Sequence, residues 1–176
     1  LIKKIYLIPG NGGSGKIKKC QNLNLDYENK KLLIQTLNSL GIDFIIIGPE
    51  IPLAKGLGDF LRSQNFKVFG PNSDGAKLES SKSWAKSFMR KANIPTAKFW
   101  KVSSQEESEK IISTAPFPLV VKADGLASGK GVFIPETKED TLRITKEIIN
   151  GKFGDSGKIV VLEEKIEGPE ISIFAL

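Results

Sequence analysis

Lys122 ends the apolar run Leu119–Val120–Val121, and Gly125, Gly129, Lys130 and Gly131 follow directly in PLVVKADGLASGKGV, residues 118–132. A strand that delivers an ammonium into a glycine-rich turn can hold phosphate. Glycine lets backbone N–H groups approach an anion closely, and lysine adds a compact positive charge. The same string also suits an ordinary β-hairpin with solvated lysines. It is not a P-loop, because Lys130 is followed by Gly131 and the strand-like VFI rather than by a Ser or Thr that opens a helix. A second run, VVLEEKIEGPE at 160–170, carries an apolar strand into Glu163 and Glu164, then Ile166, a Gly168–Pro169 turn and Glu170. A purine needs an apolar slot with a donor and an acceptor, and a ribose needs a carboxylate. Glu163 against an exocyclic amine, Ile166 as hinge backbone and Glu170 at the ribose would meet those needs. A charged hairpin without a role fits the composition too. Lys82, in LESSKSWAK, lies near the start of a predicted helix. There it is either solvated surface or an ammonium beside a helix N-terminus, a favourable place for an anion.

The elements that would position these groups alternate. Ile5–Ile8 reads as a strand running into the turn Pro9–Gly15, while 18–27 is polar and ambiguous. Asn29–Leu40 has apolar residues at helical spacing, stopped by Gly41. Asp43–Ile47 reads as a strand buried on both faces, Leu53–Arg62 as a helix and Phe66–Phe69 as a strand. Two of these strands run into Gly48–Pro49–Glu50 and Gly70–Pro71. In an open parallel sheet, ligands gather beyond the carboxyl ends of strands, so Glu50 is either a ligand-facing carboxylate or part of simple turn chemistry. Ser81–Ala92 is a predicted helix ended by Asn93–Ile94–Pro95. Ala97–Val102 is then a strand and Ser104–Ser113 a helix capped by Ser103 or Ser104. Leu119–Ala123 and Val132–Pro135 read as paired strands, Glu139–Ile149 as a helix, and Ile159–Glu163 and Glu170–Leu176 as strands. This is an α/β pattern: an open parallel sheet first, then an α+β part. The texture changes near 93–97, which divides the chain into 1–95 and 96–176.

Bulk properties narrow the partners. With 176 residues, 40 % hydrophobic and 26 % charged, the chain can bury a core. A net charge of +6 favours anionic ligands. The lysines are scattered, and aromatics make up only 8 % without basic–aromatic interleaving, which argues against nucleic acid. One cysteine, Cys20, excludes an internal disulfide and a cysteine-cluster metal site, and fits a reducing compartment. The absence of histidine excludes imidazole general bases and histidine-based triads. No apolar run approaches the roughly 18 residues of a membrane span, so no membrane partner is expected.

The order LESSK, VVKADGLASGKGV, VVLEEKIEGPEIS resembles the ATP-grasp fold. Within it, PGNGG (9–13), IGPEIPLAKG (47–56), VFGPN (68–72), AKLESSKSWAKSFM (76–89), NIPTA (93–97), FGDSGKIVVLEE (153–164) and EGPEISIFAL (167–176) resemble the glycinamide ribonucleotide synthetase (phosphoribosylamine–glycine ligase) family. The resemblance implies an ATP-dependent ligase of purine biosynthesis, cytoplasmic, with Mg²⁺ or Mn²⁺ as metal and glycine and 5-phosphoribosylamine as substrates. Glycine is phosphorylated by ATP and the amine then displaces phosphate. By the same resemblance, Lys82 and Lys122 grip ATP phosphates. The loop Asp124, Gly125, Ser128, Gly129, Lys130, Gly131 closes over them, and Glu163, Glu164, Ile166 and Glu170 take adenine and ribose. Gly10, Asn11, Gly12, Gly48, Pro49 and Glu50 face the phosphoribosylamine. Family members begin with a further strand and a GNGGREHA-type loop and continue well past the last strand here, where their metal ligands lie. The chain is therefore expected to be a fragment, inactive by itself. Another ATP-grasp carboxylate–amine ligase, or a non-catalytic ATP-binding module, is the alternative.

Overall fold

The computed structural model describes residues 2–127 and 129–173. The chain divides into two compact units, Leu1–Ile45 and Ile46–Leu176.

In the first unit, β1 (Ile5–Leu7) pairs in parallel with β2 (Cys20–Asn22). The strand β2 falls in the stretch whose polar sequence gave no clear signal. Helix α1 (Lys30–Ser39) is capped by Asn29, whose side chain accepts from the Leu32 N–H. Leu33 and Leu37, four apart, form its buried stripe.

The second unit opens with β3 (Ile45–Ile46, at the division) and β4 (Val68–Phe69), which form a two-stranded sheet. Asp43–Ile47 is thus a shorter strand than predicted, and it is not buried on both faces. Ile47 is buried against the glycines Gly58 and Gly70, whereas Ile46 is 69 % exposed. Successive residues of a strand point to opposite faces, and here one face is covered while the other is open; among the described residues β4 is the one strand paired with β3. The predicted helix Leu53–Arg62 is two helices, α2 (Glu50–Ala54) and α3 (Leu57–Ser63). Gly56, at φ +76°, takes the left-handed conformation that breaks the first and starts the second. Helix α4 (Ser73–Ser80) was not anticipated. The Asn72 side chain caps it by accepting from Gly75 N–H at 2.7 Å.

Helix α5 (Lys82–Lys91), with Ser81 as N-cap, leads to a four-stranded antiparallel sheet of order β5–β8–β6–β7. Its strands are β5 (Phe99–Val102), β6 (Leu119–Ala123), β7 (Val132–Phe133) and β8 (Val160–Glu164). Helices α6 (Gln105–Thr114) and α7 (Lys138–Glu147) complete the unit. Residues 170–173 are not in a strand, against the expectation for 170–176. They have no ladder partner among the described residues, and Ile171 and Ile173 are 79 % and 90 % exposed. Residues 174–176 lie outside the described residues.

Register gives the sheet two unlike faces. Directly paired residues share a face and neighbours alternate. Phe99, Glu163 and Val120 are in one row, and Lys101, Val161 and Lys122 in the next row of the same face. The opposite face carries Val102, Leu119, Val121, Ala123, Val160 and Leu162, which pack with Ile112 of α6 and with Ile148 just beyond α7 into the hydrophobic core. Buried hydroxyls on those helices are internally satisfied. Thr145 Oγ1 donates to Thr141 O at 2.7 Å, and Ser108 Oγ to Gln105 O at 2.7 Å. The apolar side holds the domain together and frees the other side for charge.

Candidate functional site

Helix α5 crosses the charged face of the sheet. Lys82 is its first residue, and Lys86 follows one turn later on the same side. From the sheet, Lys122 and Glu163 project toward it. Lys122 Nζ lies 2.7 Å from Glu163 Oε2, and Lys86 pairs with Glu163 Oε1. Glu163 is 8 % exposed, and so is Lys86. Burying a carboxylate to this degree is costly without charge partners, and here it has two.

The start of α5 is tied to the glycine loop. The Asp124 carboxylate accepts from Ser83 N–H and, at 3.1 Å, from Ser81 Oγ. Lys82 N–H donates to Asp124 O at 3.1 Å, and Lys82 Nζ to Gly125 O at 3.2 Å. The anion at this helix N-terminus is therefore the chain's own Asp124. Any phosphate gripped here meets lysine ammoniums rather than the open end of the helix. Burial holds the Lys82 ammonium below its ordinary pKa; nearby Asp124 and Glu79 oppose that shift and nearby Lys122 adds to it. Of the lysines singled out by sequence, Lys82 and Lys122 thus feel each other's charge.

Glycine is required at two places in the loop. A Cβ on Gly125 would come within 2.6 Å of Ser156 Oγ and 3.0 Å of Ser156 Cα. One on Gly131 would come within 2.7 Å of the Ala127 Cβ. Ala123 N–H donates to Gly131 O at 2.8 Å and Lys130 N–H to Ala127 O at 2.9 Å, which closes the loop as a compact turn. Gly129, at φ +76°, has open space around it, and Lys130 is exposed. Ser128 lies outside the described residues.

The other sequence-selected residues are placed less centrally. Glu164 alternates to the opposite face from Glu163 and accepts from Lys98 N–H at 3.4 Å. Ile166 is 70 % exposed, and Glu170 is exposed beyond the sheet. Gly48 and Pro49 lead into α2, where Glu50 occupies the first turn, a position that also suits the helix dipole. In the first unit, Gly10 (φ +78°) and Gly12 flank Asn11. The Asn11 side chain accepts from Gly13 and Ser14 N–H at 2.8 and 2.9 Å, and Asn22 Nδ2 donates to the Asn11 backbone carbonyl at 2.7 Å. That turn is preorganised by its own hydrogen bonds.

Sequence reasoning missed Lys86, Ser81 and Ser156. A signal existed for Lys86: its spacing of four from Lys82 puts both on one helix side. Nothing local marks Ser156, which meets Gly125 only through the tertiary fold.

Two family models cover the chain. Residues 1–79 match the phosphoribosylglycinamide synthetase N domain, and residues 80–176 match the ATP-grasp (A) domain of the same synthetase. The chain belongs to the phosphoribosylglycinamide synthetase family. It is 41 % identical to a phosphoribosylamine–glycine ligase of Nostoc sp. over 99 % of its own length and 41 % of that protein's. To a ligase of the same name from Clostridium acetobutylicum it is 42 % identical, over 99 % of its length and 42 % of the relative's. It therefore spans about two-fifths of these family members. The crystal structure of the Thermotoga maritima phosphoribosylamine–glycine ligase superposes with a TM-score of 0.71 at 34 % identity, over 94 % of this chain and 39 % of that one. A biotin carboxylase domain from Hydrogenobacter thermophilus, solved with MgADP and bicarbonate, superposes at 0.68 and 19 % identity over 89 % of this chain and 38 % of that one. At that identity the likeness is one of fold. The expected fold class, an N-terminal parallel-sheet part followed by an ATP-grasp α+β part, is the one observed; in place of one open parallel sheet, the described N-terminal strands form two small two-stranded sheets, β1–β2 and β3–β4. Among the described residues no helix is long and apolar enough to cross a membrane.

Proposed function

We propose that this chain supplies the phosphate- and adenosine-holding part of a phosphoribosylamine–glycine ligase, which joins glycine to 5-phosphoribosylamine with ATP in purine biosynthesis. The observation that carries the reading is the pair of ammoniums, Lys82 and Lys122, set beside one glycine loop on the polar side of the sheet. In the reaction, a glycine carboxylate oxygen attacks the γ-phosphorus of ATP and ADP leaves. The amine of phosphoribosylamine then attacks the acyl carbon, the C–O bond to phosphate breaks, and phosphate departs with the bonding pair while the amine gives up a proton. Positioning and charge stabilisation dominate phosphoryl transfer of this kind, so the absence of histidine is no obstacle.

In this reading Lys82 and Lys122 neutralise phosphate oxygens, and the 124–131 loop closes over them. Glu163, Glu164, Ile166 and Glu170 serve adenine and ribose. Gly10, Asn11, Gly12, Gly48, Pro49 and Glu50 serve the phosphoribosylamine side. The functional division falls at 95/96, and the setting is cytoplasmic, without nucleic-acid or membrane partners. The ATP-grasp superfamily uses a divalent metal with its nucleotide, Mg²⁺ or Mn²⁺ here. Among the described residues no group of three or more His, Cys, Asp or Glu stands together to hold such an ion. The positive charge they offer to phosphate is lysine. The 176-residue chain is expected to form no amide by itself.

The test is ADP release by the complete protein. Release that requires both glycine and phosphoribosylamine supports the proposal. Release that follows a different carboxylate or amine points to another ATP-grasp ligase. Tight ATP binding without turnover under any of these conditions points to a binding module.

A further inference from the structure

We propose that Lys86 is a positioning residue, and that it acts through Glu163 to leave Lys122 free for phosphate. This rests on the reading of Lys122 as a phosphate-gripping residue. The three groups form a short series of ammonium, carboxylate and ammonium with one surplus positive charge.

The two ends differ. At the inner end, Lys86 is fixed. Its side chain is 10 % exposed, its Nζ donates to Thr96 Oγ1 at 2.7 Å and hydrogen-bonds Glu163 Oε1, and it stands 5.9 Å from the Phe99 ring centre. At the outer end, the Lys122 side chain is 26 % exposed. Its ammonium is 2.7 Å from Glu163 Oε2, yet among the described residues no aligned hydrogen-bond donor reaches that oxygen. The outer contact is a charge contact without directional bonding, and the inner one is both.

This asymmetry has a chemical consequence. A polyphosphate draws Lys122 toward itself and away from Glu163. With Lys86 in place, the buried carboxylate keeps a bonded counter-charge when Lys122 departs. Without Lys86, Lys122 would be the counter-ion that remains. Moving it to phosphate would strand a buried carboxylate, so the apolar surroundings would hold Lys122 back. Lys86 thus sets how available Lys122 is while touching neither nucleotide nor substrate. A purely structural Lys86 would instead act on stability whatever stands at position 163.

The experiment is a cycle in the complete protein, with ATP dissociation constants from calorimetry and the KM for glycine measured alongside. Lys86→Met is expected to weaken ATP binding by roughly tenfold or more and leave the glycine KM nearly unchanged. Lys86→Arg should recover most of that affinity. The decisive pair is Glu163→Gln against Lys86→Met/Glu163→Gln. With a neutral amide at 163, losing Lys86 should change ATP affinity by less than about threefold. This pair stays informative even if Lys86→Met alone fails to fold, because the double variant buries no unpaired carboxylate. A loss of roughly tenfold or more on removing Lys86 in the Glu163→Gln background overturns the proposal and leaves the nucleotide site standing. Failure of the unsubstituted protein to bind ATP overturns both together.

Discussion

Replacing Lys82 by Met separates binding from stability. The substitution keeps most of the apolar stem and removes the ammonium. Three local effects decide its influence on folding. The Nζ hydrogen bond to Gly125 O, 3.2 Å long, is lost, at about 1.5 kcal/mol for a charged donor. A cation is removed from the first turn of α5, where it opposes the helix dipole by about 0.3–1 kcal/mol. Burial of the ammonium, the largest cause of its lowered pKa, is relieved. The first effect opposes the other two, so stability at pH 7 should stay within roughly 1 kcal/mol of the parent, a Tm shift within about 4 °C. Binding should respond differently. A charge-assisted phosphate contact is worth about 1.5–3 kcal/mol, which lowers ATP affinity by roughly 10- to 100-fold. The pH dependence has a definite sign. With its folded pKa below the unfolded 10.5, Lys82 binds fewer protons when folded. It therefore weighs on stability at neutral pH, and that burden lifts as pH rises through the folded pKa. As pH rises from neutral toward 10.5 the parent should gain stability relative to Lys82→Met. Thermal melts across that range and calorimetry with ATP check both halves. A variant that unfolds several degrees lower and still binds ATP normally would show Lys82 to be a structural lysine and refute the reasoning.

Other substitutions probe the loop and its anchor. Gly125→Ala should destabilise by about 1–3 kcal/mol, because the new methyl meets the Ser156 backbone at 3.0 Å; a melt unchanged from the parent would contradict that contact. Asp124→Ala removes the acceptor for Ser83 N–H and Ser81 Oγ. A loss of about 0.5–2 kcal/mol is expected, together with weaker ATP binding as the start of α5, which carries Lys82, loses the carboxylate that ties Ser81 and Ser83 to the loop; denaturant unfolding and calorimetry measure the two. The 176-residue chain, purified and supplied with ATP, glycine and phosphoribosylamine, should yield no amide above background, and amide formation would show that it holds a whole active site.

Local chemistry carried much of this fold. Strand β6 spans Leu119–Ala123 as the apolar run and its lysine indicate, and Ser104, one of the two caps the sequence offers, opens α6. Breaks and partners were harder to read. Gly56 splits a helix through its left-handed backbone, which an apolar periodicity does not register. Asn72 starts α4 directly after a Gly–Pro turn, so its capping role is masked by the turn. Ile46 looks like a core residue by type, but burial depends on what covers the strand, and that is a property of the sheet. In the site, lysine and glycine types pointed to phosphate. The Asp124 cap and the sharing of Glu163 by Lys86 and Lys122 join residues dozens of positions apart, 41 and 77 for Asp124–Ser83 and Lys86–Glu163. Only the folded chain brings them into contact.

The most direct measurement is kcat/KM for ATP in the complete protein with Lys122→Ala compared with Lys138→Ala. Lys138 is a fitting control because its ammonium donates to Ser113 O, at 2.8 Å, on an exposed surface. If Lys122 holds triphosphate, its loss should lower kcat/KM by roughly 10²-fold or more, and the loss of Lys138 should leave it within about twofold. Equal effects from the two substitutions would contradict the phosphate site.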